Sequence, residues 1–323
     1  MKQYNMKRDI IVIGASAGGL NLFRQILAAL PDDFMASVFI VWHMSPEGKS
    51  VLPELLASVT SIPVATAVDK ERIVPRRIYI APQDCHMILE SDVVRVTHGP
   101  KENLFRPAID PLFRSAASVF GPRVIGVILS GGLDDGSAGL YSIKRMGGMA
   151  IIQDPATAEN SAMPLNASRI VRPDYMVNVR EIPGLLATLS TETAGPLKSH
   201  AMKEKEKMDF EVRVAVGDPS LKLGLAYFDN YSPYTCPECK GTLSEIKEGK
   251  HVRFRCHTGH AFSALSLLSS LDKNIEGSLW TTVRAMEESF FLLRQMGDQL
   301  KIENDTEMAA KYFEKAKKME ARK

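Results

Sequence analysis

From the N-terminus to about Ser190, short runs of β-branched and other apolar residues alternate with stretches whose apolar positions recur every three or four residues. Continuous apolar runs suit strands buried on both faces, and the 3.6-residue recurrence suits amphipathic helices. The alternation therefore predicts a doubly wound, mostly parallel α/β sheet with helices on both faces. Strands are expected at Asp9–Gly14, Val38–Trp42, Arg77–Ile80, Val124–Leu129 and Met149–Ile152. Helices are expected at Leu20–Leu30, where Pro31 stops the pattern, and near Ser50–Ser58, Pro111–Phe120 and Ser137–Arg145. His86–Glu90 and Val93–Thr97 alternate around Ser91–Asp92 and read as an inserted hairpin.

The pattern changes after Ser190. Thr191–Pro196 is small and polar, and Lys203–Lys207 is a mixed-charge run without an apolar stripe, so residues 191–228 read as a linker. A compact, cysteine-bearing unit follows over residues 229–262. From Ser263 to the end, Leu268, Leu271, Ile275, Leu279, Val283, Met286, Phe290 and Leu293 fall on one helix face, which predicts an amphipathic helical tail that packs on a partner. The first 190 residues form the main domain of this organisation.

Composition narrows the class. The 323 residues, 45% hydrophobic and 24% charged, suffice for one full core and a smaller appendage. The N-terminus has no apolar run of signal-peptide length, and no stretch reaches the roughly 18 apolar residues of a membrane span. A cytoplasmic protein without membrane insertion is expected. A net charge of +2 carries no broad electrostatic footprint for nucleic acid, and Lys250–Arg255, although it interleaves cations with an aromatic, reads as a solvated strand face.

Four cysteines do not make a disulfide framework when three of them cluster. Cys236 and Cys239 form one knuckle, and beyond sixteen intervening residues come Cys256, His257 and His260. Tetrahedral Zn²⁺ suits a Cys₃His set, so Cys236, Cys239, Cys256 and His260 are the expected ligands of a zinc-ribbon-like unit, with His257 the alternative fourth. Four protein ligands leave no open position, and such a zinc is structural.

Reactive side chains sit at strand ends, where parallel sheets collect ligands. Ser16 follows the first strand in Gly14-Ala15-Ser16-Ala17-Gly18-Gly19, His43 ends the second, and Asp135 lies beyond Val124–Leu129 in Ser130–Gly136. A serine hydroxyl becomes a nucleophile when a histidine takes its proton, and a carboxylate fixes that histidine's tautomer. Taken alone, Ser16 reads as a phosphate cradle or turn residue, Asp135 as a turn or helix cap, and His43 carries no more weight; only as a set do they suggest a triad. Backbone N–H groups of Ala17 and Gly132 are candidates for an oxyanion hole.

Six ordered blocks now converge: Gly14–Gly19, His43-Met44, Tyr79–Met87, Arg106–Ser115, Gly126–Gly139 and Gln153–Pro164. Over about Asp9–Ser190 the chain resembles the CheB methylesterase domain of chemotaxis. The resemblance implies a protein-glutamate methylesterase that cleaves glutamyl methyl esters on methylated chemoreceptor-like helices to glutamate and methanol, with receptor-glutamine deamidation as a second activity. It also implies the triad Ser16, His43 and Asp135, excludes Asp134, and calls for no catalytic cofactor. Asp84, His86, Arg106, Asp110, Arg114, Asp154 and Glu159, embedded in these blocks, are expected mostly in structural roles. Met163-Pro164 is expected on a rim loop, and Phe105 and Phe113 in the core.

Departures from the pattern are informative. Gly131-Gly132-Leu133 stands where the family commonly has Gly-Met-Gly, and Trp42 stands where a polar residue is common. No receiver domain fits before Asp9, so constitutive activity, a partner protein or the C-terminal segment are the options for control. Two other readings compete. A non-catalytic scaffold could keep the fold and bind partners through its C-terminal segment. A dinucleotide-binding oxidoreductase would use the strand, Gly-rich turn and helix, although Ser16 occupies the second glycine position, a histidine ends the second strand, and Tyr141 precedes Arg145 where a Tyr-x-x-x-Lys pair needs lysine.

Overall fold

The computed structural model describes residues 6–44, 47, 50–197, 201–218, 230–248 and 251–322, with the side chains of 201–204 outside that description. Lys250, part of the cationic run noted above, also lies outside it. In chain order the main domain contains β1 (Ile10–Ala15), α1 (Gly19–Ala28), β2 (Ser37–Trp42), α2 (Leu52–Ala57), β3 (Val64–Thr66), β4 (Arg77–Ile80), β5 (His86–Glu90) and β6 (Val93–Thr97). It continues with α3 (Ile109–Phe120), β7 (Val124–Ile128), α4 (Ser137–Arg145), β8 (Met149–Gln153), α5 (Ala162–Ile170), β9 (Tyr175–Val177) and α6 (Ile182–Thr191).

Seven strands form one sheet in the order β3-β4-β2-β1-β7-β8-β9, every pairing parallel. The order runs outward from β1 through β2 on one side and from β7 on the other, so the connection reverses between β1 and β7. Alternation along β1 assigns its two faces. Ile10 and Val12 join the core beneath α3, α4 and α5, whereas Ile11, Ile13 and Ala15 join the core beneath α1 and α6. Each fully buried Ile or Phe in these layers contributes about 1.5–3 kcal/mol of transfer free energy, which holds helices such as α1, through Phe23, Ile26 and Leu27, against the sheet. The β5–β6 hairpin is antiparallel and packs Met87, Leu89 and Val94 into the first core.

The stretch expected as a linker contains a helix, α7 (Ala201–Val216). Its mixed charges conceal three buried positions, Met208, Glu211 and Ala215, which face the main domain; Met208 joins the first core and Gly99 lies directly beneath the Ala215 carbonyl. Beyond it, β10 (Tyr231–Thr235), β11 (Thr242–Glu248), β12 (His251–Cys256) and β13 (Ala261–Ser263) form a four-stranded antiparallel sheet.

Two compact units result, Met1–Leu267 and Leu268–Lys323, so the small sheet belongs with the main domain. Five charged side chains explain why. Arg114 of α3, Glu102, Glu211 of α7, and Arg253 and Arg255 of β12 are all buried together. Arg255 lies 2.9 Å from Glu102 and 2.8 Å from Glu211, Arg114 lies 3.1 Å from Glu102, and Arg253 lies 2.6 Å from both Glu211 and Glu248. Burial pushes the Glu102 carboxyl up, but the Arg114 and Arg255 charges outweigh it and hold its pKa at about 2.

The second unit is built from the long helix α8 (Ala264–Ile302) beyond Leu268 and α9 (Thr306–Glu320). Val283, Met286, Phe290 and Leu293 are half-buried, and Gly297 lies against the Phe313 ring of α9. Leu268, Ile275 and Leu279 of the same stripe are exposed. No described helix is long and apolar enough to cross a membrane.

Candidate active site

The reversal between β1 and β7 opens a crevice at the carboxyl ends of the central strands, the usual ligand position in open α/β sheets. Ala15 is in register with Trp42, and the His43 N–H donates to the Ala15 carbonyl at 3.2 Å, so Ser16 and His43 leave the sheet side by side. The Ser16 N–H donates to the Ser130 carbonyl at 2.9 Å, which ties the same turn to the end of β7. The Ser16 carbonyl accepts from the Gly19 N–H at 3.0 Å and from Trp42 Nε1 at 2.7 Å. Trp42, the departure in the sequence, thus holds the backbone of the candidate nucleophile.

Gly131 lies close against the Ser16 side chain. A Cβ there would come within 2.6 Å of Met163 Cε and 2.9 Å of Ser16 Cβ, so only glycine fits. Met163 is buried against this loop, and Leu133 completes it in the left-handed region at φ 57°. The N–H groups of Ala17 and Gly132 have no acceptor among the described residues. Gly18, at φ 76°, lies under the Glu159 carboxylate. That charge has the wrong sign for a dinucleotide's pyrophosphate, which disfavours the oxidoreductase reading.

His43 and Asp135 are joined. His43 Nε2 and Asp135 Oδ2 lie 2.8 Å apart, with both side chains almost wholly buried. Asp135 also accepts from the Ile109 N–H at 2.7 Å and from Asn103 Nδ2 at 2.8 Å, so it sits at the N-terminal end of α3 among donors. Burial raises its pKa, but the His43 hydrogen bond and charge and the Ile109 and Asn103 donors lower it further, and the carboxylate stays ionised. Its neighbour Asp110 carries the opposite burden. Burial and the Asp135 charge push Asp110 up to about 8, because two adjacent carboxyls do not both ionise readily.

The third link is open: Ser16 Oγ makes no hydrogen bond among the described residues, and His43 Nδ1 is buried without a partner. Asp134 points elsewhere and accepts from Ser263 Oγ at 2.6 Å. Phe105, expected in the core, stacks on the His43 imidazole with ring centroids 3.6 Å apart and planes 9° from parallel, while Phe113 is a core residue as expected. His86 is buried, kept neutral by that burial, and bonded to the Pro100 carbonyl and the Ala108 N–H, which is structural duty. Asp84 and Arg106 pair at 2.8 Å. Asn103 escaped the sequence reading, because an asparagine in a polar loop carries no periodic signal.

An open groove of about 370 Å³ runs beside His43, lined by Leu20, Trp42, Met44, Leu52 and Leu55 among others. Its mostly apolar wall suits the side of a helix.

In the small sheet, the three sulfurs and His260 Nδ1 lie within 4.8 Å of one another. Cys239 and Cys256 Sγ are 3.6 Å apart, and His260 Nδ1 is 3.5 Å from Cys256 Sγ and 3.8 Å from Cys236 Sγ. A tetrahedron with Zn–S and Zn–N bonds of ordinary length has edges of about 3.6–3.8 Å, so the donors fit Zn²⁺. His257 packs over Gly241 and stands outside the set.

Residues 11–186 match the profile of the CheB methylesterase family. A Leptospira interrogans protein is 37% identical over 185 residues, which are 57% of this chain and 96% of that protein. The protein-glutamate methylesterase/protein-glutamine glutaminase 5 of Anaeromyxobacter dehalogenans is 38% identical over 184 residues, 56% of this chain and 51% of that one. The crystal structure of the Thermotoga maritima CheB methylesterase catalytic domain matches with a TM-score of 0.54 at 33% identity, covering 56% of this chain and 98% of that domain.

Proposed function

The chain belongs to the CheB methylesterase family, and from that premise we propose that Ser16, His43 and Asp135 are its catalytic triad. It is a carboxylic ester hydrolase, a protein-glutamate methylesterase, of a family that acts on methylated chemoreceptors. The observation that carries the triad is the 2.8 Å contact between His43 Nε2 and Asp135 Oδ2, which leaves Nδ1 as the nitrogen available to a substrate-side hydroxyl.

In the mechanism, Asp135 holds the His43 tautomer with its proton on Nε2, and Nδ1 takes the proton of Ser16 as Oγ attacks the ester carbonyl. The Ala17 and Gly132 N–H groups receive the oxyanion. Methanol departs with the proton from His43, and water, activated by the same nitrogen, releases the glutamyl carboxylate. The open Ser16–His43 link closes by rotation of one side chain, as catalytic hydrogen bonds often tighten only with substrate bound. The same acyl chemistry serves a glutamine amide, with ammonia in place of methanol. A receptor helix lies in the groove beside His43.

Cys236, Cys239, Cys256 and His260 hold a structural Zn²⁺ in a zinc-ribbon-like unit, and no step of the reaction uses it. Cysteines held as zinc thiolates instead of disulfides suit a reducing, cytoplasmic compartment. The exposed stripe of α8 is the site for a regulatory partner. Methanol release from methylated receptor membranes, compared between the wild type and Ser16→Ala, tests the reading. Equal release from both overturns the role of Ser16, and release from neither overturns the esterase in favour of a scaffold.

A further inference from the structure

The strand β13 begins immediately after the ligand His260 and pairs with the loop Lys101–Phe105 of the main domain. The Ala261 N–H donates to the Lys101 carbonyl at 3.1 Å, and the Asn103 N–H donates to the Ala261 carbonyl at 2.8 Å. The Asn103 side chain is buried between the two parts. Its Oδ1 accepts from the Ser263 N–H at 2.8 Å and from Ser266 Oγ at 3.2 Å. A backbone N–H can only donate, so the amide is oriented with Nδ2 toward the main domain. There Nδ2 donates to Asp135 Oδ1 and to Asp110 Oδ2, each at 2.8 Å.

The same loop reaches the second member of the triad through the Phe105 ring on His43. It does not hold this shape by local preference. Asn103 and Leu104 occupy the left-handed region at φ 50° and 77°, which for a branched side chain such as Leu104 is unfavourable without support. The support comes from β13 and from Arg255, whose guanidinium holds Glu102, the residue before Asn103. Ser263 Oγ reaches a further neighbour of the triad, Asp134.

We propose that the cysteine-bearing unit is a built-in positioning element for the His43–Asp135 pair, acting through the Lys101–Phe105 loop, with Asn103 as the positioning residue. With Zn²⁺ bound, the Cys256–His260 knuckle fixes the start of β13, β13 fixes Asn103, and Asn103 aims Asp135. Without it, the carboxylate loses a donor and its partner imidazole loses orientation. The groove residues Leu20, Leu52 and Leu55 lie apart from this chain of contacts, so the effect falls on turnover and not on substrate binding. The proposal rests on the triad reading, but the structural coupling is readable separately.

The test uses the full-length, zinc-loaded chain. Ser263→Pro/Ser266→Ala, which removes both the backbone N–H and the hydroxyl that Asn103 Oδ1 accepts from, should keep its zinc by metal analysis, keep KM, and lose about tenfold in kcat, the scale of a sub-ångström misplacement. The downfield proton resonance of the His43–Asp135 hydrogen bond should broaden or shift in the same variant. Chelation of zinc should do the same to the wild type and add nothing further in Asn103→Ala. An unchanged kcat and resonance in the double serine variant, or losses from chelation and Asn103→Ala that multiply, overturns the proposal. Where chelation unfolds the chain by circular dichroism, the double serine variant decides alone. Absence of methanol release by the wild type defeats the esterase reading, whereas the resonance still reports whether the unit positions the pair.

Discussion

The Trp42 indole N–H donates to the Ser16 carbonyl at 2.7 Å, across the ends of two adjacent parallel strands. With the Gly19 and Ser130 bonds, it leaves the Ser16 hydroxyl as the one polar group of that residue free to react. Trp42→Phe keeps the ring but removes the donor. It should cost about 1 kcal/mol in urea unfolding and lower kcat/KM for a methyl ester about tenfold through misplacement of Oγ.

Gly131→Ala is expected to be worse for activity than for folding. Met163 is flexible and can yield, but Ser16 Cβ is fixed by its backbone and cannot. A loss on the order of 10²-fold in kcat follows, with a near-native circular dichroism spectrum. Adding Met163→Ala relieves only one side of the clash and should not restore activity.

Arg255→Met tests the buried charge cluster. Glu102 and Glu211 would each lose a guanidinium within 3 Å while remaining out of water. Removing one partner from a buried ion network costs about 3–5 kcal/mol, so the denaturation midpoint should fall steeply. A change below about 1 kcal/mol would mean that water enters to solvate the glutamates.

Asp134 gives a pH signature. Burial and, to a lesser degree, the nearby Asp135 charge raise its pKa to about 6, against a lowering hydrogen bond from Ser263. A carboxyl whose folded pKa exceeds its unfolded value binds more protons when folded, so its contribution to stability falls as pH rises from about 4 to about 6 and is level above that. Asp134→Asn should remove that fall, a difference of no more than about 3 kcal/mol between pH 4 and pH 7. Urea midpoints across this range measure it.

The sheet strands were readable because β1, β2, β4, β7 and β8 are continuous apolar runs, and a strand buried on both faces leaves little else it can be. The three-residue edge strands β3 and β9 are too short to show a period. Ser16, His43 and Asp135 stood out as a candidate triad from strand ends and ordered blocks. The roles of Glu211, Arg253 and Arg255 were not, because a charged residue on a helix or an alternating strand looks solvated until its partner arrives from another part of the chain. Phe105 and Asn103 were hidden for a related reason. Their meaning lies in a loop shape imposed by β13, well over a hundred residues away in sequence.

Ile10 has no parallel neighbour on one side until Val124 has been made, and Asn103 has no Ser263 to hold it until almost the whole main unit has left the ribosome. A nascent chain thus carries Ser16 from the outset and gains the strand that bonds Asn103 nearly last.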